Sequence, residues 1–441
     1  MKRFEAYIYA LLTAVAMVLT GCSADDGNLP SQETRSGVVF GACVKAPATR
    51  AGQVGDMDFK ALATSGFGVY AYGFTADDFS ASVPAHATLS GQISYTGTTP
   101  AAELTNPTDV FFYPGNWTYP GSVIDWPDAI QKISFFAYAP YVASPGGNEG
   151  ITAISSGSGD PKVTYTLALS PDKGVDLLWG INETDGLPWV NKTLADTSDG
   201  SGAVLFTFHH ALSAIGFHVQ AMIDKKNETG NLTDVSEVAN LLGTSENYKI
   251  TVKKLTITGA FYQSAKLNLN STSAYMPKWE DKTDEASRTL TVGNSWVNAA
   301  FRHPDDVTPT TTAAAESIMT GSLTGVTQTA QQLLIAKDGD VERCFYVIPN
   351  STANDYTIAI DWCISGKAPN GSYIFEDRHS EVPLTAWTWE PGTKYYFNFV
   401  MGLKTFKLSV DAVDWTSETK TVNIATENGT SASESLAKGR R

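Results

Sequence analysis

Apolar and polar residues alternate with period two along nearly every patterned segment of this chain. FGVYAYGF (67–74), KISFFAYAPY (132–141), KVTYTLAL (162–169), YKITVKKLTITGAFY (248–262), RTLTV (288–292), DYTIAIDW (355–362) and TFKLSVDAVDW (405–415) all carry it. Successive side chains of a β-strand point to opposite faces, so this spacing specifies strands rather than helices. The segments are rich in Val, Ile, Thr, Tyr and Phe, and clusters of Gly, Pro, Asn and Ser separate them. Many short strands with turn signals between them predict an all-β chain of sandwiches or barrels. Helix signals are confined to DVSEVANLLG (234–243), capped by Asp234 and stopped by Gly243, and to the short DAIQKI (128–133).

At 441 residues the chain has room for two or three domains with real cores. The stretch NETDGLPWVNKTLADTSDGSG (182–202) lacks periodicity and is full of turn formers, which places a boundary inside it. The expected organisation is one β-sandwich over 51–195 and a second over 196–426, with 303–328 as a long loop and 427–441 as a disordered tail. A net charge of −15 argues against nucleic acid and anionic membrane surfaces as partners. Charged residues make up only 17%, while Gly, Ser, Thr, Asn and aromatics are plentiful, the usage of a secreted β-rich protein.

The first residues agree with secretion. Lys2 and Arg3 precede an apolar run of fifteen, AYIYALLTAVAMVLT (6–20). That is short for a membrane span and right for the core of a signal peptide. The run ends in Leu19-Thr20-Gly21-Cys22, which resembles the bacterial lipobox, where the peptidase cuts before the Cys and its thiol is acylated. Asp25 and Asp26 follow closely, and this acidic pair resembles the surface-export signal of Bacteroidetes lipoproteins.

Downstream, VVFGACV (38–44) places Val38, Phe40, Ala42 and Val44 on one strand face, as a core strand would. Six residues after Val44 stands Arg50, within APATRAG, a segment of small residues that a protease can enter. Thr34-Arg35-Ser36 offers a second Arg in a loop-like context.

The motifs of catalysis are missing from the chain. There is no phosphate loop, no dinucleotide fingerprint and no GxSxG, so nothing here calls for an enzyme or a cofactor. FHHALSAIGFH holds His209, His210 and His218. On a strand His209 and His210 face opposite ways, and on a helix neither has the i, i+4 spacing to His218, so no metal site is expected. Asp338-Gly339-Asp340 is a turn without the further ligands of a calcium loop. Cys344 and Cys363 flank a hairpin candidate, CFYVIPNSTANDYTIAIDWC, whose pairing would set them opposite each other as a disulfide or as two buried thiols. Ile124-Asp125-Trp126, Ile360-Asp361-Trp362 and Val413-Asp414-Trp415 repeat without a fixed period, as strand ends where a Trp closes a sandwich edge.

A lipobox, a strand and an Arg-bearing loop followed by β-rich segments resemble the fimbrillins of Bacteroidetes, the type V pilins. DLLWG (176–180) followed by VLFTFHHALSAIGFHV (204–219), and WEPGTKYYFNF (389–399) followed by a strand ending in VDW, resemble the middle and the C-terminal end of such proteins. The resemblance spans essentially the whole precursor. It implies two tandem transthyretin-like β-sandwiches after a lipoprotein signal peptide (1–21) and a lipidated propeptide (22–50). It further implies a fimbrium subunit supporting cell adhesion, held at the outer membrane by palmitate or a similar acyl chain on Cys22. An Arg-specific protease would cut between Arg50 and Ala51, the strand carrying Val38, Phe40, Ala42 and Val44 would leave, and another pilin subunit's strand would fill the groove. Two segments qualify as donor strands by pattern. One carries Phe406, Leu408, Val410 and Ala412, and the other carries Val422 and Ile424.

Two other readings stand beside this one. An uncleaved fimbrial anchor or tip protein has the same resemblance and keeps the lipid on Cys22. A surface glycan-binding lipoprotein, recognising host or bacterial surface ligands, would use loop aromatics such as Trp117, Tyr119 and Trp189. Lipidation has a direct check. Cys22→Ser should abolish incorporation of radiolabelled palmitate and prevent stable sorting to the membrane, since acyl chains supply the anchoring energy. Undiminished labelling of the variant would place the lipid elsewhere.

Overall fold

A computed structural model describes residues 37–45, 57–74, 78–79, 89–96, 117–119, 125–126, 132–155, 159–197, 200–221, 248–292, 319–321, 333–335, 337–338, 341–342, 344–367, 373–401, 406–414 and 419–426. Cys22, Arg35, Arg50, Ala51, the helix expected over 234–243 and the tail from Glu427 lie outside these residues.

The chain opens with β1 (Val39–Val44), α1 (Phe59–Ser65), β2 (Phe67–Phe74), β3 (Leu89–Tyr95), β4 (Trp117–Thr118), β5 (Lys132–Ala139), β6 (Gly150–Ile154) and β7 (Lys162–Thr166). It continues through β8 (Leu178–Ile181), β9 (Trp189–Lys192), β10 (Ala203–His210), β11 (Ser213–Ala221), β12 (Tyr248–Phe261), β13 (Ser264–Asn268), β14 (Lys278–Thr283) and β15 (Ala286–Thr291). The remainder is β16 (Met319–Gly321), β17 (Leu333–Ile335), β18 (Lys337–Asp338), β19 (Val341–Glu342), β20 (Phe345–Val347), β21 (Asn354–Lys367), β22 (Tyr373–Trp387), β23 (Thr393–Met401), β24 (Phe406–Asp414) and β25 (Thr419–Thr426). The protein is nearly all β, as its periodicity specifies. The helix α1 starts where the Asp58 carboxylate accepts a bond from the Ala61 amide at 2.7 Å, the geometry of an N-cap, and buries Phe59, Leu62 and Ala63.

The strands form three apolar layers. In the first, the order is β2–β3–β4–β1–β10–β8–β5–β9, and β2 also pairs with β5. Seven of these strands therefore close into a ring of ladders, with β9 beside β5. Val38, Phe40, Val69, Phe135, Phe206 and Phe208 fill its interior. Gly180 faces this interior, where a Cβ would come within 3.0 Å of Ala137 and Phe206, which accounts for the glycine of DLLWG. At the C-terminal end a six-stranded sheet (β17–β11–β23–β24–β25, with β20 on β11) faces a five-stranded one (β15–β12–β21–β22, with β16 on β12). Phe217, Phe397, Leu408 and Val410 of the first meet Ile257, Ile358 and Ile360 of the second in one core, a β-sandwich.

Between these two bodies lies the third layer. Tyr70, Tyr72, Phe136, Tyr138 and Trp179 project from the ring's outer face. They meet Val163 and Tyr165 of β7, Ala265 and Leu267 of β13, and Tyr346 of β20. Thus β2, β5 and β20 bury both of their faces. Phe345 and Val347 enter the C-terminal core while Tyr346 enters the middle layer.

The stretch 182–202 does not divide the sheets. The strand β10 follows it yet belongs to the ring, and the four-stranded sheet β14–β13–β7–β6 takes two strands from each side of it. The hairpin expected across Cys344 and Cys363 is also not formed. The strand β20 pairs with β11, whereas β21 pairs with β12 and β22. Cys344 packs in the middle layer, while Cys363 alternates away from Ile360 and Trp362 of the C-terminal core. The register that would have paired the two thiols is therefore absent. Of the recurring Trp residues, Trp126 packs in the ring and Trp362 in the sandwich, and Trp415 lies outside the described residues.

Because the middle layer joins the two bodies, damage to it should reach both. Trp179→Ala removes a fully buried side chain and should cost roughly 3–5 kcal/mol in urea unfolding. Hydrogen exchange should rise in β13 as well as in β8. A rise confined to β8 would mean that the layer does not couple the halves.

Candidate functional site

The site begins with the apolar face of β1. Val38, Phe40, Ala42 and Val44 are all at most 3% exposed, and all point into the ring's core. The strand runs parallel to β10, in register from Val39 opposite Ala203 to Val44 opposite Phe208. Backbone bonds extend this ladder at both ends, from the Val39 amide to the Gly202 carbonyl at 3.1 Å and from the Lys45 amide to the Phe208 carbonyl at 2.8 Å. Just ahead of β1, Gly37 forms a bridge with Asp125. Among the described residues β4 pairs with β1 only where Phe40 meets Trp117.

Phe40 is the centre of the packing. Its ring meets Tyr119 edge-on at 5.6 Å and Phe135 edge-on at 5.8 Å, and stacks on Phe206 at 6.2 Å. The Tyr119 hydroxyl donates to the Val38 carbonyl at 3.3 Å. Burying Val38, Phe40 and Val44 contributes roughly 1.5–3 kcal/mol for each side chain. That is comparable with the whole net stability of a typical domain, about 5–15 kcal/mol. Loss of β1 without a replacement would therefore remove a large share of the ring's stability.

Where β1 leaves the core, charge takes over. Lys45 Nζ forms an ion pair with Glu183 Oε1, and Glu183 Oε2 bonds His209 Nε2 at 3.2 Å. Glu183 sits on the turn after β8, where the Asn182 amide donates to the Leu187 carbonyl at 2.9 Å and the Gly186 amide to the Asn182 carbonyl at 2.8 Å. Gly186 holds φ +71°, a left-handed value that suits glycine. Tyr275 clamps the same turn, donating through its hydroxyl to the Glu183 carbonyl at 2.6 Å. Partial burial would raise the Glu183 pKa. Hydrogen bonds from His209 and Lys45 outweigh it and hold the carboxyl below the ordinary glutamate range.

The neighbouring histidine faces elsewhere. His210 Nδ1 lies 2.8 Å from Asp176 Oδ2 in a nearly water-free pair, and the same oxygen accepts the Met57 amide at 2.9 Å. The two histidines thus engage different carboxylates on opposite faces of β10.

The other residues singled out in the sequence fall as follows. Trp117 and Trp189 are buried in the ring core and Tyr119 packs against it, so these aromatics are not platforms open to a glycan. Trp189 Nε1 donates to the Leu205 carbonyl at 2.9 Å. Phe406, Leu408, Val410 and Ala412 belong to β24, which is flanked by β23 and β25 inside its own sheet. Leu408 and Val410 are 1% exposed in the C-terminal core, with Ala412 packed against it. Val422 and Ile424 lie on β25, which among the described residues pairs with β24 alone, the register stepping over Ile424. Lys45, Glu183 and His209 were not legible as a group, because turn and strand are brought together only by the fold.

The geometry defines a β-protein whose first strand completes a core built by later strands. Residues 63–415 match the model of the fimbrillin-like family, and the chain belongs to that family. Among solved structures, a fimbrial protein from Bacteroides vulgatus is similar at 20% identity and a TM-score of 0.49, over 86% of this chain and 99% of that one. A candidate cell adhesion protein from Bacteroides uniformis is similar at 16% identity and a TM-score of 0.37, over 87% of this chain and 100% of that one. A candidate adhesin from Bacteroides thetaiotaomicron is similar at 12% identity and a TM-score of 0.34, over 88% and 98%. Comparison with curated proteins returns no match.

Two outcomes follow for the uncleaved chain. Phe40→Ala should cost about 3–5 kcal/mol of unfolding free energy in urea, because it empties the centre of the ring core. Glu183 contributes through a lowered folded pKa. Its contribution is fully present above the unfolded value, about 4.3, and is lost as pH falls from there through the folded value. Glu183→Gln should therefore flatten the loss of stability below about pH 4.3. An acid limb identical to the wild type's would show that the carboxylate is not coupled to folding.

Proposed function

We propose that this chain is a structural subunit of a surface fimbrium that supports adhesion. It is exported as an outer-membrane lipoprotein through Cys22, cut between Arg50 and Ala51, and assembled by exchange of β1 for a strand of another subunit. The observation that carries this reading is that β1, which precedes Arg50, closes the ring and supplies part of its core. Membership of the fimbrillin-like family supports the same reading.

The physical logic is direct. Closure of the ring leaves β4 and β10 without bare edges. Departure of β1 bares the β10 amides and carbonyls together with an apolar slot, a template for strand addition. A neighbour's strand restores both. Such contacts run head to tail and do not close on themselves, which yields a fibre. Exchange replaces the six-residue ladder between β1 and β10. Of the two donor candidates, β25 is the better placed, since β24 would have to leave its own core. The protease partner is one that recognises Arg.

Arg50→Ala should leave the protein folded, lipidated and monomeric, with no SDS-resistant ladder on gels, and Arg35→Ala should change little. A ladder from Arg50→Ala equal to the wild type's would remove Arg50 as the switch. For the donor, Leu408→Asp should lower the melting temperature of the uncleaved chain, because it buries an unpaired charge. Val422→Asp, on a strand paired with β24 and opposite Val410, should block polymerisation. Normal polymerisation of folded, cleaved Val422→Asp would rule out β25 as donor.

A further inference from the structure

The slot filled by β1 is not uniform along its length. At the Phe40 position it is wide, walled by Tyr119, Phe135 and Phe206. Two residues on, at Ala42, it is narrow. Ala42 is fully buried and lies opposite Phe206, where Phe67, Phe206 and Phe208 already crowd one another at 5.1–6.1 Å. One residue past Val44 it becomes acidic, since Lys45 meets Glu183 there. The backbone of the Glu183 turn is held by its own bonds and by Tyr275, none of which involves β1.

Given the strand-exchange reading above, on which this inference rests, we propose that the groove selects its replacement strand by pattern. The incoming segment carries an aromatic residue, then a small one two positions later, then an aliphatic one after two more, with a basic residue directly following. Once Lys45 leaves, Glu183 is a half-buried carboxylate that has lost its cation, and an incoming Lys or Arg restores the pair. A neutral or acidic residue there leaves the carboxylate with His209 but without the lysine's charge. A large side chain at the Ala42 position overpacks a filled core.

The chain's own candidate segments do not carry that pattern when they run in the direction of β1. With Phe406 in the Phe40 slot, Leu408 takes the Ala42 position and Asp411 falls beside Glu183. With Ile424 in the Phe40 slot, Gly429 falls beside Glu183 and no cation is delivered. In these registers the occupant of this groove is a strand of a different pilin chain that ends in a basic residue, and β25 donates to the groove of such a partner rather than to that of a second copy.

The test uses the full chain cleaved at Arg50 and fluorescent ten-residue peptides entering by exchange. SGVVFGACVK, the native 36–45 sequence, should bind. Versions carrying Phe40→Ala, Ala42→Trp or Lys45→Glu should bind at least about tenfold more weakly, as should peptides copied from 404–413 and 419–428. Glu183→Lys protein should prefer the Lys45→Glu peptide, which separates a direct contact from general loss of fold. Binding of the altered or own-chain peptides within about threefold of the native one would overturn the selection while leaving strand exchange standing. If even the native peptide fails to enter the cleaved chain, the exchange reading itself falls and takes this proposal with it.

Discussion

The fit of β1 into the ring is the interaction on which the rest of the N-terminal body depends. Its ladder with β10 and the buried side chains of Val38, Phe40, Ala42 and Val44 help close seven strands into a ring of ladders. Bare edges invite pairing with other chains, and closure removes them. The strand that provides closure precedes Arg50 in the chain, so the cleavage proposed there would turn a closed ring into a template. A six-residue register joins β1 to β10, and among the described residues the Phe40–Trp117 pair and the Gly37–Asp125 bridge lie beside it. Apolar burial and the Lys45–Glu183 pair add to this backbone bonding.

Beyond the ring, stability is shared through the middle layer. Strands such as β2 and β5 present aromatic side chains on both faces, one set to each core. The slot vacated by β1 is thus backed by walls that are themselves packed from behind. Phe135 faces the slot while Phe136, its neighbour, is locked between the ring and β7. A wall packed from behind would keep the slot's shape during the proposed exchange, and a shaped slot can discriminate between strands.

Much of this was legible from period two alone. The strands over 67–74, 248–261 and 406–414 follow the alternation almost residue for residue, and VVFGACV reads as a core strand because four apolar side chains share one face. Alternation does not say which sheet a strand joins. That is why 182–202, a turn-rich stretch, reads as a boundary although β10 beyond it returns to the ring. The same ambiguity suggested a hairpin across Cys344 and Cys363, which the competing partners β11, β12 and β22 prevent. Trp117 and Trp189 sit among turn formers in sequence yet are buried, since short strands bring them onto the ring core. Glu183 gave no signal at all. Its role comes from a turn that places one carboxylate between Lys45 and His209, three residues widely separated along the chain.

The central claim is that β10 exchanges one partner strand for another without losing its place in a closed sheet. Hydrogen exchange with mass spectrometry on purified fibres, compared with the uncleaved chain, addresses it directly. The account predicts that peptides covering 36–45 are missing from the fibre digest while Ala203–Phe208 stay as protected as in the precursor. Fibres that still contain 36–45, or in which Ala203–Phe208 exchange like an open edge, would contradict it.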